Sequence, residues 1–182
     1  MCAAILRGFA PTGAHVIALA SGVFLSGAMF SVSAIMIPTL LDTNTEPAGL
    51  TKQWARLYHY GSVLMPSMSV AIAAVYGFAW MQYGHGQSPS EQGIRCLAAA
   101  ALTMAIAPYT WFAMIPTNNA LFAMAASGPD FAGKQVANEK ARGLVMKWVI
   151  LHSIRSILPL AGAIVGFMGI SSGQEGVVGS AN

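Results

Sequence analysis

The sequence predicts an all-α membrane protein: an up-and-down bundle of four transmembrane helices with a short extra helix in the third loop. Two observations carry this expectation. Of 182 residues, 55% are hydrophobic and only 8% charged, whereas soluble domains are about a quarter charged. The charges are also segregated. No Asp, Glu, Lys or Arg falls in 8–41, 57–90 or 96–129, three gaps of 34 residues each, and a fourth gap of 19 covers 156–174. A membrane span needs about 20 mostly apolar residues, so each gap holds one, the last with a few residues borrowed upstream. Little chain is left for a soluble domain, and residues 1–182 read as a single membrane domain with the lipid bilayer as its main partner.

The elements follow in order. The first span, about 14–41, is rich in small residues, with Gly22/Ser26 and Gly27/Ser31 each four apart, a spacing that lets a neighbouring helix approach closely. A single Arg7 before it, with no cleavage site, reads as an uncleaved span and not a signal peptide. Asp42 to Lys52, with Asn44, Pro47 and Gly49, reads as a loop. The second span, about 57–81, ends at Trp80 and Tyr83, residue types that anchor at membrane interfaces. GHGQSPSEQG at 84–93 has the composition of a flexible loop. The third span, about 96–115, contains Pro108 and is ended by Pro116. A short helix is expected after Asn118–Asn119, then a charged run leading into the fourth span, about 144–170. The Gly/Ser-rich tail 171–182 is expected to be flexible.

Several function classes fall away. The net charge is +3, but nine basic residues are spread over the chain and leave no nucleic-acid footprint. Cys2 and Cys96 form neither a metal spacing nor a disulfide framework, although Cys2 is a possible palmitoylation site. No GxxxxGK[ST], GxGxxG, CxxC or HExxH occurs, and no metal site is predicted. Lys52, Arg56, Lys134, Lys140, Arg142 and Lys147 fall in loops 42–56 and 116–147, against Arg7 and Arg95 on the opposite side. Six against two places the long loops in the cytosol and both termini away from it.

Unusual polar and aromatic residues concentrate in one half of the bundle. Trp54, Tyr58 and His59 lie at the entry to span two. Tyr109, Thr110 and Trp111 lie near the exit of span three, followed by Pro116, Thr117, Asn118 and Asn119. Trp148, His152, Arg155 and Pro159 are spaced four, three and four apart in span four and share one narrow helix face. Arg155 is about 12 Å past Lys147 along the axis at about 1.5 Å per residue, near the middle of a core about 30 Å thick. An Arg at that depth costs about 2.5–3.5 kcal/mol and marks a functional candidate; the competing role is a snorkelling stem. His59 lies about 4.5 Å inward of Arg56 and His152 about 7.5 Å inward of Lys147, so the two imidazoles sit at similar depth. Each suits a general base, a helix–helix hydrogen bond, or, as a pair, haem or copper ligation. Asn118 or Asn119 suits a helix cap or a donor aimed into the bundle, and the aromatics suit an interface belt. His15 and His85, near the far side, read as ordinary interface or loop residues.

These residues carry a resemblance. Trp54 through His59 with Gly61 and Pro66, then PYTWFAMIPTNNAL (108–121), then LVMKWVILHSIRSILP (144–159), resemble the small integral membrane anthrone oxygenases of fungal polyketide pathways, over roughly 14–170. The resemblance implies a four-span oxidoreductase that converts an anthrone to an anthraquinone with O2. Its partners would then be a planar polycyclic substrate and O2, with no cofactor beyond O2. The chemistry needs a base, a positive charge or donors for a developing oxyanion, and a flat apolar slot. His59 or His152 is the candidate base, and Arg155 and Asn118 are the candidates to stabilise the anthrolate oxygen. Trp54, Tyr58, Tyr109, Trp111 and Trp148, with Thr117 and Asn119, are the candidate substrate contacts. The alternatives are a haem- or copper-dependent oxidase using His59 and His152, or a non-enzymatic four-span lipophile-binding or scaffold protein. The resemblance also implies a eukaryotic chain, for which the endoplasmic reticulum or a related endomembrane is the expected location.

Overall fold

The computed structural model describes the backbone of residues 2–83, 90–127 and 134–179 and the side chains of 13–83, 90–127 and 135–168. Residues 84–89 of the expected loop, with His85, lie outside the described residues, as do the side chains of Cys2, Arg7 and the expected tail from 171. The described chain is almost entirely helical, and four helical runs are long and apolar enough to cross a membrane: Gly13–Thr43, Pro47–Tyr83, Glu91–Ala126 and Gln135–Met168. The all-α four-span expectation holds.

The runs are longer than expected, and the reasons are local. The first run comprises α1 (Cys2–Ser31), a π-helical turn (Val32–Met36) and α2 (Ile37–Thr43). Asn44 ends it in an extended conformation, with its side-chain amide donating to the Leu40 carbonyl at 2.8 Å and to Gln53 Oε1 at 3.0 Å. The expected loop 42–52 therefore shrinks to a few residues, because Pro47 opens α3 (Pro47–Tyr83), where a missing N–H costs nothing. Trp54 and Tyr58 are thus set within a continuous helix. In the third run, α4 (Glu91–Met104) is capped by Ser90, whose Oγ accepts from the Gly93 N–H at 3.1 Å. Then follow α5 (Ile106–Tyr109), a second π turn (Thr110–Met114) and α6 (Ile115–Ala126). Pro116 does not end the helical run; it stands in the first turn of α6. The extra helix expected after Asn118–Asn119 is this segment, joined directly to span three. α7 (Lys134–Gly179) absorbs the charged run before the fourth span, whose Lys, Glu, Ala and Arg favour helix.

Both π turns have the same cause. A proline cannot donate to the carbonyl four residues back, and its ring crowds that carbonyl. Pro38 and Pro116 each follow a π turn by two residues. In each turn the residue before the proline bonds five residues back instead: Ile37 N–H to the Val32 carbonyl, and Ile115 N–H to the Thr110 carbonyl. The widened turn takes up the mismatch, and such turns recur at functional sites.

The chain divides into two compact units, one of residues 1–26, 67–106 and 157–182, the other of 27–66 and 107–156. Each takes part of every span. In the first unit, a Cβ at Gly162 would stand 2.8 Å from both the Ala99 carbonyl and Thr103 Oγ1, so only glycine permits this approach. A Cβ at Gly22 would meet Ala163 and the Pro159 carbonyl at 3.5 Å, an ordinary contact, and one at Gly27 would meet nothing within 4 Å. The second unit has a core of Ile37, Leu50, Trp54, Met114, Leu121, Val145 and Trp148. On α7 its buried positions run Ala141, Val145, Trp148, His152 and Ser156, at helical spacing.

Candidate active site

The second unit holds the site, assembled around the α7 face. Trp148 stacks on His152, with centroids 4.4 Å apart and planes 27° apart. Trp54 from α3 meets Trp148 edge-on at 5.9 Å and lies against Tyr58 at 5.4 Å. Both Trp54 and Tyr58 also meet the Phe122 ring of α6 at 5.2 Å. The Asn118 amide donates to the Tyr58 hydroxyl at 3.4 Å. Trp54, Trp148, His152, Thr117 and Asn118 are all buried. Four aromatic rings, an imidazole and an amide therefore meet in one largely apolar cluster.

Two hydroxyls on the π turns hold the polar groups. Ser33 Oγ lies 3.1 Å from His152 Nδ1, and Arg155 Nη1 donates to Thr110 Oγ1 at 2.9 Å. No carboxylate pairs with Arg155 among the described residues, where Arg95–Glu91 is the ion pair.

The unpartnered atoms are the most informative. The indole N–H groups of Trp54 and Trp148, the Arg155 Nε–H and the Asn118 Oδ1 are all buried without a hydrogen-bond partner. Leaving such a group unsatisfied costs about 1–3 kcal/mol, and buried Trp N–H groups usually find a partner. Here two indole N–H groups and the Arg155 Nε–H, part of a cation with no carboxylate partner among the described residues, remain unpaired in the unit that holds the aromatic cluster. Such a set is suited to a flat, electron-rich ligand bearing oxygens.

A profile described as anthrone oxygenase matches residues 54–165, which contain every one of these groups except Ser33. The chain belongs to the anthrone oxygenase family. It is similar to an anthrone oxygenase of Claviceps purpurea, 86% identical over 98% of this chain and 100% of that protein. It is also similar to an anthrone oxygenase of Paecilomyces divaricatus, 42% identical over 87% of this chain and 95% of that protein. A noranthrone monooxygenase of Aspergillus flavus is 34% identical over 87% of this chain and 73% of its own length. No solved structure matches the chain.

In this anthrone oxygenase family member, three expected site residues stand apart from the cluster. His59 is on the exposed side of α3 with its ring against Tyr60. The two histidines expected as a pair thus have different surroundings, one exposed and one buried. Trp111 is 73% exposed, and Asn119 is exposed beside the buried Asn118. Tyr109 is half-buried. Among the described residues, no three His, Cys, Asp or Glu side chains gather as a metal-binding group.

Sequence reasoning missed Ser33, Thr110 as the Arg155 partner, and Phe122. Phe122 carried a signal, since it lies four residues past Asn118 on the same face. Ser33 carried none, because serine is ordinary in a small-residue span. His15 also differs from its expectation as an interface residue. It is fully buried in the first unit, edge-on to Tyr76 and Tyr83 at 6.0 Å, with Cys96 Sγ 3.7 Å from Nδ1.

Proposed function

We propose that this chain oxidises an anthrone to an anthraquinone with O2, using His152 as the base. The observation that carries the reading is the Arg155 guanidinium, which has no carboxylate partner among the described residues and stands with unpartnered N–H donors in an aromatic cluster. An anthrone has a methylene between two aryl rings, conjugated to a ketone. The base takes one methylene proton, and the negative charge moves to the ketone oxygen as the rings become fully aromatic. Arg155 and the two indole N–H groups can stabilise that oxyanion. The anthrolate passes one electron to O2, and the resulting radicals join at the former methylene carbon. Protonation gives a hydroperoxide, which loses water to leave the quinone. One anthrone and one O2 thus give one anthraquinone and one water, with O2 the sole oxidant. Trp54, Tyr58 and Trp148, with Phe122 beside them, supply the flat walls.

The test is oxygen uptake by membranes containing the chain when an anthrone is added, read together with quinone absorbance. One O2 consumed per quinone formed, with no added reductant, is the expected result. Uptake no faster than with boiled membranes, or a requirement for a reductant, would defeat the reading. An absorption spectrum and metal analysis of the active purified protein test the claim that O2 is sufficient.

Membership of a fungal family favours an endomembrane such as the endoplasmic reticulum, and the six-to-two Lys/Arg asymmetry favours both termini on its lumenal side. A tag placed after Asn182 is expected to resist protease in sealed microsomes with their cytosolic face outward. Its digestion would reverse the orientation and put the Trp148–Arg155 half on the lumenal side.

A further inference from the structure

The geometry points to Ser33 as a positioning residue: its hydroxyl accepts the Nδ1 proton of His152, holds the ring in the Nδ1–H tautomer, and leaves Nε2 bare to take the substrate proton. This rests on the reading of His152 as the base and adds what sets its protonation. The two residues are 119 positions apart in sequence, yet Ser33 Oγ lies 3.1 Å from Nδ1. Both are buried, at 5% and 3% exposure, so water does not compete for that nitrogen. The partner of one ring nitrogen decides which nitrogen carries the proton, and Ser33 is that partner.

The direction of the bond follows from the role of His152. Nε2 can take the substrate proton only while Nδ1 carries the ring's own proton. Ser33 Oγ, the partner of Nδ1, then accepts that proton. Stacking on Trp148 at 4.4 Å supplies a second restraint on the ring plane, so two contacts fix the direction in which Nε2 points.

The π turn has a part in this. Ser33 is the second residue of Val32–Met36, whose five-residue closure answers the missing donor of Pro38. The same arrangement at Thr110–Met114, before Pro116, places Thr110 against Arg155. Each proline therefore sets the local register in which a hydroxyl meets a charged or basic group of α7. In the reaction the methylene proton moves to Nε2. The imidazolium so formed keeps its Nδ1–H on Ser33, which is a stronger bond when the donor is charged.

The decisive experiment reads the tautomer directly. The full-length protein is labelled with 15N-histidine and studied by NMR in detergent micelles at about pH 8, where an ordinary imidazole is neutral. His152 is assigned by the signals lost in His152→Gln. The expected result is a proton on Nδ1 and none on Nε2. Ser33→Ala is expected to shift His152 toward the other tautomer and to lower kcat about 10–100-fold, with KM nearly unchanged. Ser33→Thr, which keeps the hydroxyl, is expected to restore both. A proton on Nε2 in the unsubstituted protein overturns the inference, as does Ser33→Ala with unchanged tautomer and turnover. Full turnover by His152→Gln, with the tautomer as expected, would leave the hold of Ser33 on the ring standing and remove only the reading of His152 as base.

Discussion

Replacing His152 with glutamine is expected to lower anthrone turnover by about 10²–10⁴-fold, the usual contribution of a positioned general base. Glutamine is close in length to histidine and stays uncharged, so Trp148 keeps a neighbour of similar volume. A larger change would open a cavity among buried rings and confuse a folding defect with a chemical one. Thermal unfolding in detergent should therefore change little while quinone formation almost stops. His59→Gln is the matched control. His59 is exposed on α3, and substitutions at exposed positions are typically worth within about 0.5 kcal/mol, so it should retain nearly all turnover. The opposite pattern, with His59→Gln inactive and His152→Gln active, would move the base to α3.

The contrast between these two histidines shows what the sequence made legible. Depth along a helix follows from counting residues, and that count alone puts the two imidazoles at similar depth. Direction around a helix does not follow from depth. His59 is five residues past Trp54, about 140° further round at about 100° per residue, so it cannot share the buried side of Trp54 and Tyr58. Trp148, His152 and Arg155 lie on one unbroken helix, and their spacing of four and three was sufficient to place them on a common face. Trp111 failed for a different reason. Seven residues before Asn118, it would share that residue's face in a regular α-helix. The π turn Thr110–Met114 changes the register between them, and Trp111 turns outward while Asn118 turns in. Pro116 was visible in the sequence, but reading it as a helix end hid the register change it produces. Ser33 was not legible at all. Its role exists only because two segments 119 positions apart meet in the folded protein.

Replacing Arg155 with leucine is expected to lower turnover by about 10²–10³-fold, the cost of losing one oxyanion donor, without destabilising the protein. The two halves of that expectation have separate grounds. Arg155 has one hydrogen bond, to Thr110 Oγ1, an unpartnered Nε and no carboxylate partner among the described residues. A cation held this way in an apolar bundle is a burden on folding, and Thr110, whose oxygen only accepts from the guanidinium, loses one incoming donor when it is gone. Leucine should therefore be tolerated or slightly favoured in thermal unfolding. Turnover should respond in the opposite sense, because the charge is worth most when the anthrolate oxygen forms beside it. Arg155→Lys separates charge from shape. Lysine keeps the charge but presents a point ammonium in place of a planar fork, so it should fall between wild type and leucine in turnover. A purely structural Arg155 predicts a different ordering, with an active lysine variant and a leucine variant that either expresses poorly or matches wild type. Expression, unfolding temperature and quinone formation for the two variants distinguish these cases, and wild-type turnover by the leucine variant would end the oxyanion role. The indole N–H groups of Trp54 and Trp148 would then be the remaining donors for that oxygen, to be tested by replacing each with phenylalanine.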